Sequence, residues 1–464
     1  MKKLFLSALL FGALFTSCSD DDDFSYEILA DSPIEEAKLT EGFYLVNEGW
    51  FGHDNGSVNI FKKKGDAYDI KYTAYAAAND GATLGTTTCH AAIWGNNIYF
   101  ISKQGDRLIV ADAKTLKKKA SIADLGGDGA FFQGINDKKA YIGTTNGVVV
   151  LNLENNTLEG KIQDGAQIGN IAYANGKAFA VSPDAVFVID TNTNTVIQKI
   201  DGDFTQLTMD RKGNIIVAAK TNFLVINSET LAQETIAYPE GAAPSNLWGM
   251  WNPGSLCTSM KTDNLYWIPA NGWAGGKKVY KTDLNTKTSS VIITLGMTEN
   301  KKDMEFYGAG LRVDPLTDEL VTTVTQSGWG ENSLWNRLYK FDGNGKEIMN
   351  QSILSEKGEN YYWFPEMPVF EDINQPQITL NQVVVKEGLK VEIDLSEKVF
   401  DHDNIFPTLS FAVATETPNI AKVSLDGSTL VVEPGTEEGY GTFTLTVISN
   451  GSRFDKTIQV VNDL

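Results

Sequence analysis

An internal repeat constrains this chain more than any other feature. One unit recurs: a turn with Gly, Asn or Asp, an apolar strand, a loop, a second apolar strand, a polar turn and a third strand. The clearest copy runs Asn175-Gly176-Lys177-Ala178-Phe179-Ala180-Val181, then Val186-Phe187-Val188-Ile189-Asp190-Thr191, then Thr195-Val196-Ile197-Gln198-Lys199-Ile200. Others begin near Gly42, Asn97, Lys139, Asn214, Asn264 and Asp318, which makes seven. They fill residues 41–372 at about 47 residues each, close to the period of propeller blades. The strands are rich in Val, Ile, Tyr and Phe, and no segment holds a helical apolar period over four turns. The expected fold is all-β: a seven-bladed β-propeller of four-stranded blades.

A further strand precedes each turn and is the innermost of its blade, as in His90-Ala91-Ala92-Ile93-Trp94 and Phe204-Thr205-Gln206-Leu207-Thr208-Met209. The first copy lacks this strand, whereas residues 361–370 have no copy after them. The spare strand is expected to complete the first blade, closing the ring and hiding edges that would otherwise pair with other chains. The stretch from Val186 to Ile197 resembles the YVTN-type repeat of surface-protein propellers, with Leu151-Asn152-Leu153-Glu154-Asn155-Asn156-Thr157 a weaker copy. That resemblance reports fold, not activity.

The first 17 residues read as a signal peptide: Lys2 and Lys3 precede an apolar run from Leu4 to Phe15 that is too short to span a bilayer. Leu14-Phe15-Thr16-Ser17-Cys18 resembles a bacterial lipobox, which implies cleavage before Cys18 and lipid on its sulfur. Asp20 to Asp23 follow and resemble the export signal that sends lipoproteins of Bacteroidota to the outer face of the outer membrane. Residues 18–40 are therefore expected to be a lipidated acidic tether, with the membrane met by the lipid anchor only. Cys89 and Cys257 fall on non-adjacent blades and are expected to be buried thiols.

A boundary falls near Asp372 to Pro376. Residues 375–464 show short strands with turns at Gly388, Asp426-Gly427, Gly435, Gly439 and Asn450-Gly451, the pattern of an immunoglobulin-like or cadherin-like β-sandwich. Val399-Phe400-Asp401-His402-Asp403-Asn404 resembles the acidic loop of cadherin-like domains, which sometimes binds calcium. The later acidic ligands are missing and calcium needs six to eight oxygens, so the loop is read as a solvated turn, and no metal site is expected.

Charge narrows the function. Acids outnumber bases 59 to 39 for a net charge of −20, which repels phosphate backbones and excludes nucleic acid as a main partner. Three His and three Cys leave little for zinc. The aromatics carry more information. In the expected topology one face bears the loops entering each inner strand and those between second and third strands. Trp50, Trp273, Trp329 and Trp335 fall in loops of the second kind; Trp248, Trp251 and Trp363 lie at or before inner strands. Trp94 and Trp267 sit within strands and are read as core. The loops at 47–56, 271–276 and 327–335 are longer than a turn requires. Phe51, His53, His90, Phe131, Phe132 and Tyr361 are added to the same side. Together these residues predict a wide aromatic surface at the channel top, suited to a large ligand of mixed polarity.

An enzyme is disfavoured. No metal-spaced His pair and no Gly-x-Ser-x-Gly elbow occurs, and Gly127-Asp128-Gly129 is a turn. Quinone-cofactor dehydrogenases share the propeller shape, but no cofactor-stacking signature is assignable, so no cofactor is expected. The whole arrangement — lipobox, acidic tether, then Phe43-Tyr44-Leu45-Val46-Asn47-Glu48-Gly49-Trp50-Phe51-Gly52 followed by Gly56-Ser57-Val58 — resembles a family of Bacteroidota surface lipoproteins. The best-understood members capture cobalamin at the cell surface and pass it to a TonB-dependent outer-membrane transporter. The resemblance implies a ligand-binding lipoprotein facing the cell exterior, with cobalamin or a related corrinoid as the ligand. A glycan-binding or adhesive scaffold is the alternative, and a hydrolase or lyase the third reading.

Overall fold

A computed structural model describes residues 24–244, 249–250, 252–269, 275–328, 330–354 and 363–464. Cys18, Asp20 to Asp23, Trp248, Trp251, Trp273, Trp329 and Tyr361 lie outside them.

Seven antiparallel sheets follow one another along the chain. The first joins Pro365–Phe370 to Gly42–Asn47, Ser57–Lys64 and Ala67–Lys71. Phe43 pairs with Phe370 and Val46 with Met367, so the two ends of the array share one sheet. The next five sheets take their strands in chain order and begin at Thr86–Trp94, Gly129–Gly134, Ile171–Ala174, Phe204–Met209 and Cys257–Thr258. In the seventh, Met304–Phe306 and Arg312–Val313 both pair with Leu320–Gln326, so its inner strand is broken in the middle. Each inner strand touches the next, and the ring closes from the seventh sheet back to Pro365–Phe370.

Local sequence explains the layers. Ala185–Asp190 is apolar and buried at five successive positions, as a strand covered on both faces must be. Thr195–Asp201, at the outer edge, alternates exposed and half-buried residues over its first five positions. From the second to the seventh sheet, the third strand is followed by a turn capped by one side chain, Asp112, Asn152, Asp190, Asn227, Asp283 or Asp342. In each, Oδ1 accepts backbone N–H groups two to four residues on. Seven separate apolar cores lie between neighbouring sheets, one at each junction of the ring.

The tail has its own core, centred on Leu395, Val432, Phe443, Leu445 and Ile458. A four-stranded sheet of Gln382–Lys386, Ser452–Asp463, Gly439–Ser449 and Ser410–Thr415 stands with a three-stranded sheet of Val391–Asp394, Thr429–Pro434 and Ala421–Asp426.

The tail docks on the ring face that carries the short turns between first and second strands, called here the lower face. Gly95 N–H donates to Asn450 O at 2.6 Å, Asn175 N–H to Pro407 O at 2.8 Å, and Tyr173 Oη lies 3.1 Å from Ser410 Oγ. Trp94 packs only in part against the core between the second and third sheets. It is half-buried at this junction, donates from Nε1 to Asn136 O at 2.8 Å, and lies so close to Gly451 that a Cβ there would sit 2.3 Å from its ring. Trp267 is fully buried. The loop at 401–404 is likewise no solvated turn. Asp403 is buried, and its Oδ2 accepts from the backbone N–H groups of Ile373 and Asn374, which pins the linker.

Residues 24–40, expected to hang as a tether, instead run along the tail. Asn374, Gln377 and Gln382 each grip this segment with both ends of the side-chain amide. Asn374 does so at Lys38, Gln377 at Glu35, and Gln382 at Leu29 and Glu27. Tyr26 Oη reaches Asp463, and Lys398 pairs with Asp31 at 2.8 Å.

Candidate functional site

The upper face begins with the loop after Gly42–Asn47. Glu48 and Gly49 donate from their backbone N–H groups to the carbonyls of Phe364 and Trp363, which ties this loop to the strand that closes the ring. Gly49 takes φ +76°, and a Cβ there would meet Asn55 O at 2.5 Å, so glycine is required. His53 and Asp54 turn back onto Trp50 O, and the Trp50 and His53 rings stack at 3.8 Å. Phe51 beside them is 56% exposed, with Lys103 Nζ 5.7 Å from its ring. Trp50 and Trp335 are half-buried, and the Arg337 guanidinium lies 5.4 Å from the Trp335 ring.

Beneath the rim the break in the seventh inner strand does the positioning. Residues 307–311 bulge toward the axis. Tyr307 Oη donates to Glu48 Oε2 at 2.6 Å, and Ala309 N–H to Glu366 Oε1 at 3.1 Å. Gly308 takes φ +53°; a Cβ there would fall 1.9 Å from Glu366 Oε2, so no other residue lets the bulge approach this carboxyl. Asn252 Nδ2 donates to the same Oε1 at 2.7 Å, and Glu366 Oε2 is buried without a partner among the described residues. Burial pushes the Glu48 carboxyl up to about 7, outweighing the Tyr307 hydrogen bond and the Lys103 charge. Burial and the Glu48 carboxylate hold Glu366 well above the carboxylate range.

The segment 252–256 is buried in the channel mouth as a plug. Asn170 Nδ2 donates to Pro253 O at 2.9 Å, Leu256 N–H to Gln206 Oε1 at 3.0 Å, Arg312 Nη1 to Gly254 O at 3.0 Å, and Ser255 Oγ to Gly308 O at 2.9 Å. The side chains of Asn170, Gln206 and Arg312, from three sheets, thus hold one loop across the axis, and its own Ser255 ties it to a fourth contact point.

Among the expected site residues that are described, Trp50, Phe51 and His53 cluster in one upper-rim loop, and Trp335 stands in another loop of the same face, partly packed on the core between the sixth and seventh sheets. Four others are packing or channel residues. Trp363 is buried with Phe43, Leu45 and Leu338 in the core that joins the seventh sheet to the first. Phe132 is buried and stacked on Tyr99 at 4.3 Å between the second and third sheets. His90 and Phe131 face the channel axis, their rings 3.9 Å apart. Strands covered on both sides carry aromatics in either direction, so their type did not show which way they point. Sequence reasoning missed Glu366, Asn252 and Arg312. A lone acid within Phe364-Pro365-Glu366-Met367-Pro368 and a lone base within Leu311-Arg312-Val313 were the available signals, since charges are rarely buried without purpose. Cys89 and Cys257 are buried free thiols. Among the described residues no group of three His, Cys, Asp or Glu could hold a metal ion, and no helix is long and apolar enough to cross a membrane.

No curated protein matches this sequence. Among solved structures, a quinonprotein alcohol dehydrogenase-like protein from Bacteroides thetaiotaomicron aligns at TM-score 0.51 and 17% identity, covering 67% of this chain and 75% of that one. The extracellular domain of a one-component system from B. thetaiotaomicron aligns at 0.43 and 12%, covering 87% and 61%. The Cps50 (Swd1) β-propeller domain of Myceliophteria thermophila aligns at 0.45 and 11%, covering 62% and 96%. The likeness to the first of these shows the fold, that of a β-propeller-like protein built from four-stranded antiparallel sheets. A family match spans residues 41–371, the whole ring of sheets, and the chain accordingly belongs to the family described as a domain of unknown function, DUF5074.

Proposed function

We propose that this chain is a non-enzymatic, surface-displayed binding protein. In this reading the ring is a seven-bladed β-propeller, the tail an immunoglobulin-like sandwich, and Cys18 the lipid anchor that holds both on the outer membrane. One observation carries the proposal: the two faces of the ring are unlike. The lower face has short turns and is occupied by the tail, whereas the upper face carries long loops with Trp50, Phe51, His53 and Trp335 at its rim. A large ligand of mixed polarity suits that surface, and cobalamin or a related corrinoid is the first candidate, for delivery to a TonB-dependent transporter. The buried Glu48–Tyr307 and Glu366–Asn252 contacts support it by stiffening the loop bases.

Titration of the full chain with cyanocobalamin, beside a glycan panel, tests this. Burying an aromatic against a ligand is worth roughly 1.5–3 kcal/mol. Trp50→Ala or Trp335→Ala should therefore weaken binding about tenfold to a hundredfold. Cobalamin binding that ignores both substitutions, or binding of a glycan alone, would replace the corrinoid reading.

A further inference from the structure

Below the plug the inner strands line an open axial cavity of about 350 Å³. All seven sheets contribute to its wall, through residues such as His90, Phe131, Met209, Cys257, Arg312 and Met367. Most of that wall is apolar. No Asp or Glu lines it, and Arg312 is its one fixed charge. Among the described residues Arg312 forms no ion pair. Its Nη1 donates to the carbonyls of Gly254 and Leu311 at 3.0 and 2.7 Å, and its Nη2 meets Met367 Sδ at 3.2 Å. Those contacts orient the guanidinium; its nearest carboxyl is the buried Glu366, which forms no salt bridge with it and is itself held well above the carboxylate range. A cation at this depth without a counter-ion is costly to the fold.

His90 adds a second donor. Its Nδ1 accepts from Phe132 N–H at 3.3 Å, which leaves Nε2 to carry the proton of the neutral ring. Burial and the nearby Arg312 charge push this imidazole down to about 3, so it stays neutral at physiological pH. A fork-shaped cation and an N–H donor in an otherwise apolar chamber match a carboxylate on an apolar body. A cavity of about 150 Å³ is enough for benzene, so this one has room for an aromatic or branched acid.

We propose that the axial cavity binds a small organic monocarboxylate, with its carboxylate against Arg312 and His90 and its apolar body against Leu207, Met209 and Val369. This site is separate from the upper rim and does not depend on what binds there.

Calorimetric titration of the full chain with benzoate, benzamide and inorganic phosphate tests the proposal. Benzoate should bind, benzamide at least tenfold more weakly, and phosphate not measurably. Arg312→Met should weaken benzoate at least tenfold; because it also leaves the Gly254 and Leu311 carbonyls without their donor, its melting temperature is measured beside it to show that the variant is folded. Arg312→Lys keeps the charge without the fork and should fall between the two. Trp50→Ala should leave benzoate affinity intact, so a failure at the rim leaves this result standing. Equal affinity for benzoate and benzamide, which needs no variant to measure, would overturn the proposal. So would undiminished benzoate binding by Arg312→Met, or no carboxylate binding at about 10 mM, since Kd values far weaker than millimolar carry little free energy.

Discussion

Asn252 donates from Nδ2 to Oε1 of Glu366 at 2.7 Å, and neither side chain is exposed. The same Asn252 accepts at Oδ1 from Gly254 N–H at 2.8 Å, so one side chain both shapes the plug and fastens it to the strand that closes the ring. Asn252→Ala strips both contacts and leaves buried polar groups unmatched. The expected cost is about 1–3 kcal/mol. Urea midpoints measure it, and limited proteolysis should show cleavage within 252–256 that the wild type resists. An unchanged midpoint with no new cleavage would mean that the plug is held elsewhere.

Glu48 should make stability depend on pH. Its folded carboxyl titrates at about 7 against an ordinary value of 4.5, so the contribution is fully present below the ordinary value and is lost as pH rises through 7. Asp372 and Asp401, pushed up to about 6 and about 7 by burial and by their neighbours, act in the same direction. Comparison with Glu48→Gln isolates the first term, because glutamine still accepts from Tyr307 but does not titrate. Between pH 5 and pH 8 the wild type should lose about 1–3 kcal/mol more than the variant, by thermal or urea unfolding. Parallel pH profiles would show that Glu48 is not the titrating group.

The amide grip on residues 24–40 predicts a local effect. Asn374→Ala, Gln377→Ala and Gln382→Ala each remove a two-ended contact worth about 1 kcal/mol net. The triple variant should free the segment for proteolysis upstream of Lys38 while the ring unfolds at its usual temperature. A loss of ring stability equal to that of the Asn252 variant would contradict the assignment of these contacts to the tail.

The repeat itself was plainly legible. The starts read at Asn97, Lys139 and Asn264 are the first residues of strands, because Gly, Asn and Asp supply the tight turns those positions need. The upper rim was legible in part: Trp50 and Trp335 reach it, whereas Trp363 and Phe132 turn into cores between sheets. Burial on both faces removes the alternation that would have told them apart. The lower face was not legible at all. Contacts such as Gly95 with Asn450 join residues hundreds of positions apart, and nothing local announces them. Glu48 stood inside a recognised motif, yet its role depends on Tyr307, which only the broken seventh strand brings to it.

The lacing of residues 24–40 sets how the molecule bears mechanical load. Tyr26 meets Asp463 at one end of the strand Ser452–Asp463, whereas the other end, beside Asn450, abuts the ring. Twelve residues of strand separate these ends by roughly 35–40 Å. Phe24 and Ser25, which meet Tyr440, thus lie at the end of the tail remote from the ring. A pull from a membrane anchor would run along the segment and load its bonds to Tyr440, Gln382, Asn381, Gln377 and Asn374 side by side, in shear, rather than opening them one at a time. With the anchor proposed above, the tail would act as a stiff stalk and would itself set the height of the upper face.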